Sequence, residues 1–237
     1  MGLRKKIKKF IYNRNIDSKY GKFATEKVIK KNWDKIFLNK IAFVNLAVLN
    51  VLKKKKNCFY LEIGCDNDVT FNSISLPKKY KYGVDPRDGG NIRKTSDLFF
   101  KNNKKKFDVI LLDGLHEYKQ TQRDLLNSLK FLNNDGYIFI DDLIPLNWKM
   151  ELVPRIQGRW NGDVWKVGYE LSNSKNLKFK IIDIFSGVGY LRKVKKKLRY
   201  NKMNNILKKQ RFKDFLKIYK KLPIISGEKA LKLIGYE

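Results

Sequence analysis

Four short apolar runs, each closing on a glycine or an acid, dominate the middle of this chain: Cys58-Phe-Tyr-Leu-Glu-Ile-Gly64, Tyr80-Lys-Tyr-Gly-Val-Asp85, Phe107-Asp-Val-Ile-Leu-Leu-Asp113 and Gly136-Tyr-Ile-Phe-Ile-Asp-Asp142. Runs of this length and composition read as strands buried on both faces. A helical stretch over about Lys119 to Leu132 separates the third from the fourth. Strands alternating with helices predict a parallel sheet with right-handed crossovers. After Trp165 a helix runs into Leu171, and Lys178–Phe185 and Val188–Val194 flank Ser186-Gly187, a hairpin signal. The expectation is an α/β fold whose mostly parallel sheet ends in an antiparallel hairpin.

The chain of 237 residues is long enough for one full core, and 43% hydrophobic content with 13% aromatics describes a folded protein. Residues 1–57 read as a basic arm and a helical lead-in, the helix covering Phe23 to about Lys54 with Val28, Trp33, Ile36, Phe37 and Ile41 among its apolar positions. Residues 58–194 carry the strands, and 195–237 read as a basic helical tail. The net charge of +30 attracts phosphate-rich partners: nucleic acid, an anionic membrane surface or nucleotide-linked substrates. The alternative is compositional, since Lys runs at 53–56, 104–106 and 195–197 spread along the whole chain and charge runs usually form solvated faces. The start MGLRKKIKKFIY is basic and weakly amphipathic, suiting a solvated helix or peripheral contact with anionic lipid. Cys58 and Cys65 lack metal-ligand spacing and read as reduced core residues, and no apolar run is long enough to span a bilayer, which makes the cytoplasm the expected location.

In an open α/β sheet the carboxyl ends of the strands line the ligand crevice. Here they bring Glu62, Asp85, Asp113, Asp141 and Asp142 to one edge. Gly64 lets backbone approach a ligand closely, with a helix N-terminus to follow. Asp85 closes the second strand 21 residues after Gly64, where a carboxylate can take ribose hydroxyls. This pairing is shared by nicotinamide and S-adenosylmethionine enzymes.

The set Leu61-Glu-Ile-Gly-Cys65, Gly83-Val-Asp-Pro86, Thr95-Ser-Asp-Leu-Phe-Phe100, Phe107–Tyr118 and Trp160-Asn-Gly-Asp-Val-Trp-Lys166, in that order, resembles Rossmann-like class I S-adenosylmethionine-dependent methyltransferases associated with polysaccharide and sugar modification. The resemblance implies that Glu62 and Gly64 face the methionine end of the cofactor, that Asp85 holds the ribose, and that Ser96 and Asp97 lie by the adenine. One position departs from the family's E-x-G-x-x-x-G pattern: Asp68 stands where a second glycine is expected, and its charge would lie beside the cofactor's carboxylate. Asp tolerates the left-handed backbone better than most residues, so the turn is expected to survive.

Asp113, Asp141 and Asp142 are placed as in metal-dependent sugar and catechol O-methyltransferases, which implies Mg²⁺ or a similar ion on hard oxygen ligands. A lone histidine is usually structural, but His116, three residues past Asp113, matches the general base of similar sugar O-methyltransferases. Tyr118 and Trp165 suit either a substrate wall or the core. The expected activity is O-methylation of a sugar hydroxyl in a glycan or nucleotide-linked precursor. The alternatives are an RNA or DNA methyltransferase, against which Asp141-Asp-Leu-Ile-Pro145 stands where an Asn-Pro-Pro-Tyr base-flipping motif would be, and a non-catalytic binder holding nucleic acid or membrane through basic arms.

Overall fold

The computed structural model describes residues 12, 15–16, 18–32, 38–193 and 199–235. Most of the expected basic arm, the candidate helix residues Trp33, Ile36 and Phe37, and the Lys run at 195–197 lie outside them. In chain order the elements are α1 (Lys40–Leu52), β1 (Tyr60–Ile63), α2 (Val69–Ser73), β2 (Lys81–Val84), α3 (Ser96–Asn102), β3 (Phe107–Leu112), α4 (Tyr118–Phe131), β4 (Leu132–Ile140), α5 (Trp148–Glu151), α6 (Trp165–Ser172), β5 (Leu177–Ile182), β6 (Val188–Lys193), α7 (Asn204–Leu207), α8 (Phe212–Tyr219), β7 (Ile224–Ile225) and α9 (Gly227–Gly235).

The strands form one sheet in the order β2-β1-β3-β4-β6-β5-β7. β1 pairs in parallel with β2 on one side and β3 on the other, β3 and β4 are parallel, and β6 runs antiparallel to both β4 and β5. This is the Rossmann-like α/β fold with an antiparallel finish. The chain leaves β1 to one side for β2 and then crosses to the other for β3, which opens a crevice above their carboxyl ends. Side chains alternate across the sheet. Leu61, Ile63, Ile110, Leu112, Ile138 and Ile140 enter one core, while Tyr60, Val109, Leu111, Tyr137 and Phe139 enter the other.

Helix α1 shows why that second core closes. Phe43, Val44, Ala47, Val48 and Val51 recur at helical spacing and are all buried, and the Asn39 side chain caps the start by accepting from the Ala42 N–H at 3.2 Å. The helix begins only at Lys40. Residues 24–32, expected to be helical, instead form an irregular strap. Phe23, Ala24 and Ile29 pack separately on the first core, and the Ile29 N–H donates to the Leu146 carbonyl at 2.9 Å, so distant partners replace the local ladder.

The hairpin also differs in detail: five residues, 183–187, connect β5 to β6 instead of a two-residue turn, with Phe185 and Gly187 at positive φ. The Leu143 and Ile144 N–H groups donate to the Gly187 and Ser186 carbonyls, so the turn is shaped to meet the loop after β4. Among the described residues no helix is long and apolar enough to cross a membrane.

The segment expected as a tail is helical for much of its length, and it also completes the sheet. β7 pairs in parallel with β5, Phe212 and Phe215 are fully buried, and Phe215 lies against Trp165 with ring centres 5.2 Å apart. Phe215→Ala should therefore destabilise the whole fold by about 3–5 kcal/mol, as a buried aromatic does and a solvated tail residue does not. Denaturant unfolding measures this; a loss within experimental error would show that α8 is not part of the cooperative core.

Candidate active site

A cleft of about 740 Å³ opens above the carboxyl ends of β1, β2 and β3. Of the residues expected at the site, Glu62, Gly64, Asp85, Ser96, Asp97, Asp113 and His116 line it. Asp141 and Asp142 do not line it themselves; each is joined to a residue that does, Asp141 to Lys40 and Asp142 to His116.

The cofactor half is built on two turns. Gly64 has φ +86°, and a Cβ there would overlap the Asp113 carbonyl, so only glycine lets β1 and β3 close this tightly. Glu62 is buried on the cleft floor and accepts from the Tyr60 hydroxyl at 2.6 Å. Burial pushes its carboxyl up to about 8, against the opposing pull of that hydrogen bond. Glu62 is thus mostly neutral at pH 7 and ready to ionise when a cationic group arrives.

Asp85 lies at its expected place, but its carboxylate is already engaged. One oxygen accepts from the Arg87 and Asp88 N–H groups at 2.8 and 3.0 Å, the other from Cys65 and Asp66 at 3.1 and 3.3 Å. Asp85 therefore ties the turn after β1 to the turn after β2. Asp68 has φ +62°, the left-handed geometry expected of it. Its side chain accepts from the Gly90 N–H at 2.6 Å and is not part of the cleft wall, so the expected charge beside the cofactor is directed into a second tie between the same two loops. At the far end, Gln120 donates to Ser96 at 3.0 Å, to Asp97 at 3.3 Å and to Asp124 at 3.0 Å, joining α3 to α4. Sequence reasoning missed Gln120 and Asp124; a polar pair at i and i+4 inside a helix was their only signal.

The catalytic half differs most from expectation. The Lys40 ammonium bridges Asp113 and Asp141, bonding the latter at 2.6 Å. Burial lowers the lysine's pKa, but the two carboxylates outweigh it and hold the ammonium well above its ordinary value. His116 takes the other side, with Nδ1 3.1 Å from Asp142 and Nε2 3.6 Å from Asp113. The set of Asp113, Asp141 and Asp142 thus does not fit a divalent ion: an ammonium already shares two of its members. Among the described residues, the metal-type ligand atoms within 4.8 Å of one another belong to Asp113, His116 and Asp142.

The 160–166 motif explains how this half is held. The His116 ring stacks on Trp160 at 5.4 Å and Nδ1 lies 2.9 Å from the Trp160 carbonyl. Asn161 donates to Asp142 at 2.8 Å, and Asp163 accepts from the Tyr118 N–H at 2.6 Å. Tyr118 and Trp165 are core residues, their polar ends bonded to Glu170 and Glu151.

Backbone bonding holds the Asp85 carboxyl below the ordinary carboxylate range: burial alone would raise it, and four N–H donors outweigh burial. Its stabilisation is therefore complete above the ordinary pKa and disappears as pH falls through the depressed one. Asp85→Asn should lower stability at neutral pH by about 1–3 kcal/mol and flatten the acid side of the stability curve. Superimposable wild-type and variant curves from denaturation at stepped pH would remove Asp85 from this role.

Residues 69–143, from α2 to just past Asp142, match a family model described as a methyltransferase domain. A search of curated proteins finds no match to this sequence. Solved structures with similar folds include the Podospora anserina methyltransferase PaMTH1 bound to S-adenosylhomocysteine (17% identity, 67% of this chain and 80% of that one, TM-score 0.46). An O-methyltransferase from Bacillus cereus, also in complex with S-adenosylhomocysteine, shares 13% identity over 68% of this chain and 84% of its own, with TM-score 0.45. An rRNA methylase from Streptococcus thermophilus shares 10% over 68% and 99%, with TM-score 0.46. The matched domain and the Rossmann-like fold that carries it make this chain an S-adenosylmethionine-dependent methyltransferase.

Proposed function

We propose that the chain methylates a hydroxyl oxygen, and that the acceptor is a sugar in a glycan or a nucleotide-linked precursor. The observation that carries this reading is His116 on the cleft wall, clamped between Asp113 and Asp142. Its Nδ1 meets the Trp160 carbonyl, an acceptor, so that nitrogen carries hydrogen and Nε2 is left to receive a proton. A positioned base with a carboxylate beside it is what a hydroxyl needs to become a nucleophile.

Bound S-adenosylmethionine supplies a methyl group made electrophilic by its sulfonium. Gly64, the buried Glu62 carboxyl and the loop held by Asp85 are the groups that would hold it, with Ser96 and Asp97 at the adenine end. His116 takes the acceptor's hydroxyl proton at Nε2, and Asp113 stabilises the imidazolium that results. Trp160 fixes the ring plane by stacking and by its carbonyl. The net charge of +30 favours an acceptor that bears phosphate.

Burial works against the His116 imidazolium, but the Asp113 hydrogen bond and the Asp142 charge hold its pKa up to about 9. The neutral base accumulates only as pH approaches that value, so kcat/KM should rise through pH 8 and level off above about 9. His116→Gln should abolish that limb and slow turnover by about 10²–10⁴, while sparing S-adenosylmethionine affinity in calorimetry. The assay follows S-adenosylhomocysteine release with a panel of nucleotide sugars and oligosaccharides. Full activity in His116→Gln would remove the base, and methyl label entering RNA but no sugar would overturn the acceptor class.

A further inference from the structure

Lys40 is the first residue of α1, a position where the helix dipole disfavours a cation. It nevertheless points its ammonium at the carboxyl edge of the sheet, where Asp113 ends β3 and Asp141 ends β4. Its side chain is only 22% exposed, and those of Asp113 and Asp141 only 19% and 15%. A lysine held in this way, at a helix start and largely out of water, is there for the carboxylates it meets.

We propose that Lys40 is a built-in cation that takes the place of a divalent ion between the two strand ends. An ion joining Asp113 to Asp141 would have to displace the ammonium, and one held by Asp113, His116 and Asp142 would lie beside it on the shared Asp113 carboxylate. Both arrangements put like charges within a few ångströms in a partly desolvated site. Lys40 also lines the cleft beside His116, so its positive charge reaches the place where the acceptor oxygen develops negative charge. The ammonium does so without the exchange and loading that a metal requires.

The proposal concerns cation binding and does not depend on which acceptor the protein takes, so its test needs no substrate. Mn²⁺ is the probe, followed by the loss of its free electron paramagnetic resonance signal. Wild type should bind it only weakly. Lys40→Ala, which frees two anionic ligands, should bind it about tenfold tighter or more. Lys40→Arg, which keeps the charge, should stay as weak as wild type. Melting temperature gives the second readout: Mn²⁺ should raise it in Lys40→Ala and leave it unmoved in wild type. Should Lys40→Ala fail to fold, Lys40→Gln takes its place and should gain Mn²⁺ in the same way. Tight Mn²⁺ binding by wild type, or no gain in either neutral variant, would overturn the assignment.

Discussion

Carboxylates crowd the carboxyl edge of this sheet, and the shape of the site follows from how their charge is answered. Asp113, Asp141, Asp142 and Glu62 come together because β1, β3 and β4 are parallel neighbours that end at the same level. Two like charges 4 Å apart repel by about 4 kcal/mol at an effective dielectric near 20, which is comparable to much of a domain's net stability. Each acid meets a different answer. Asp113 is shared between Lys40 and His116, Asp141 takes the other side of Lys40, and Asp142 lies against His116 and Asn161. Glu62, without a cation of its own, is kept largely neutral by burial.

The same rule operates away from the cleft. Asp108, at the other end of β3, is almost fully buried and accepts from the Phe59 N–H, Lys55 and Asn133. Glu170 is fully buried and is met by neutral donors: Tyr118, Gln122, Tyr200 and the Met203 N–H donate to it. That cluster fastens the chain leading into α7 against α4 and α6, and thereby against the loop that carries Trp160 and Asn161. A neutral network suffices there because one carboxylate stands alone; at the cleft, where several meet, cations are needed.

Much of this was legible in the sequence because burial on both faces leaves an unmistakable mark. The runs at 58–64, 107–113 and 136–142 are apolar at most positions, and α4 begins within one residue of its expected start. Gly64, Glu62 and Asp85 could be placed because strand ends define the crevice. What was not legible depends on distant partners. Lys40 is one of 53 Lys and Arg residues, and nothing local distinguishes it from its neighbours. The strap at 24–32 has apolar residues at tolerable helical spacing, yet Leu146 takes its backbone. Ile224-Ile225 is too short to read as a strand, since only pairing with β5 makes it one. The four amides on Asp85 come from two loops whose approach no spacing rule describes.

The contact between α9 and α1 joins two elements that lie far apart in the chain. Ala230 and Ile234 pack into the same core as Phe43, Val44 and Ala47, and Asn50 donates to the Ile234 carbonyl. During synthesis the parallel strands emerge early, whereas the helix that presents Lys40 gains its final support only after residue 234 is made. Lys40 is thus made before the acids it bridges, and its helix can settle on β3 and β4 as they form, while the brace from α9 is added last.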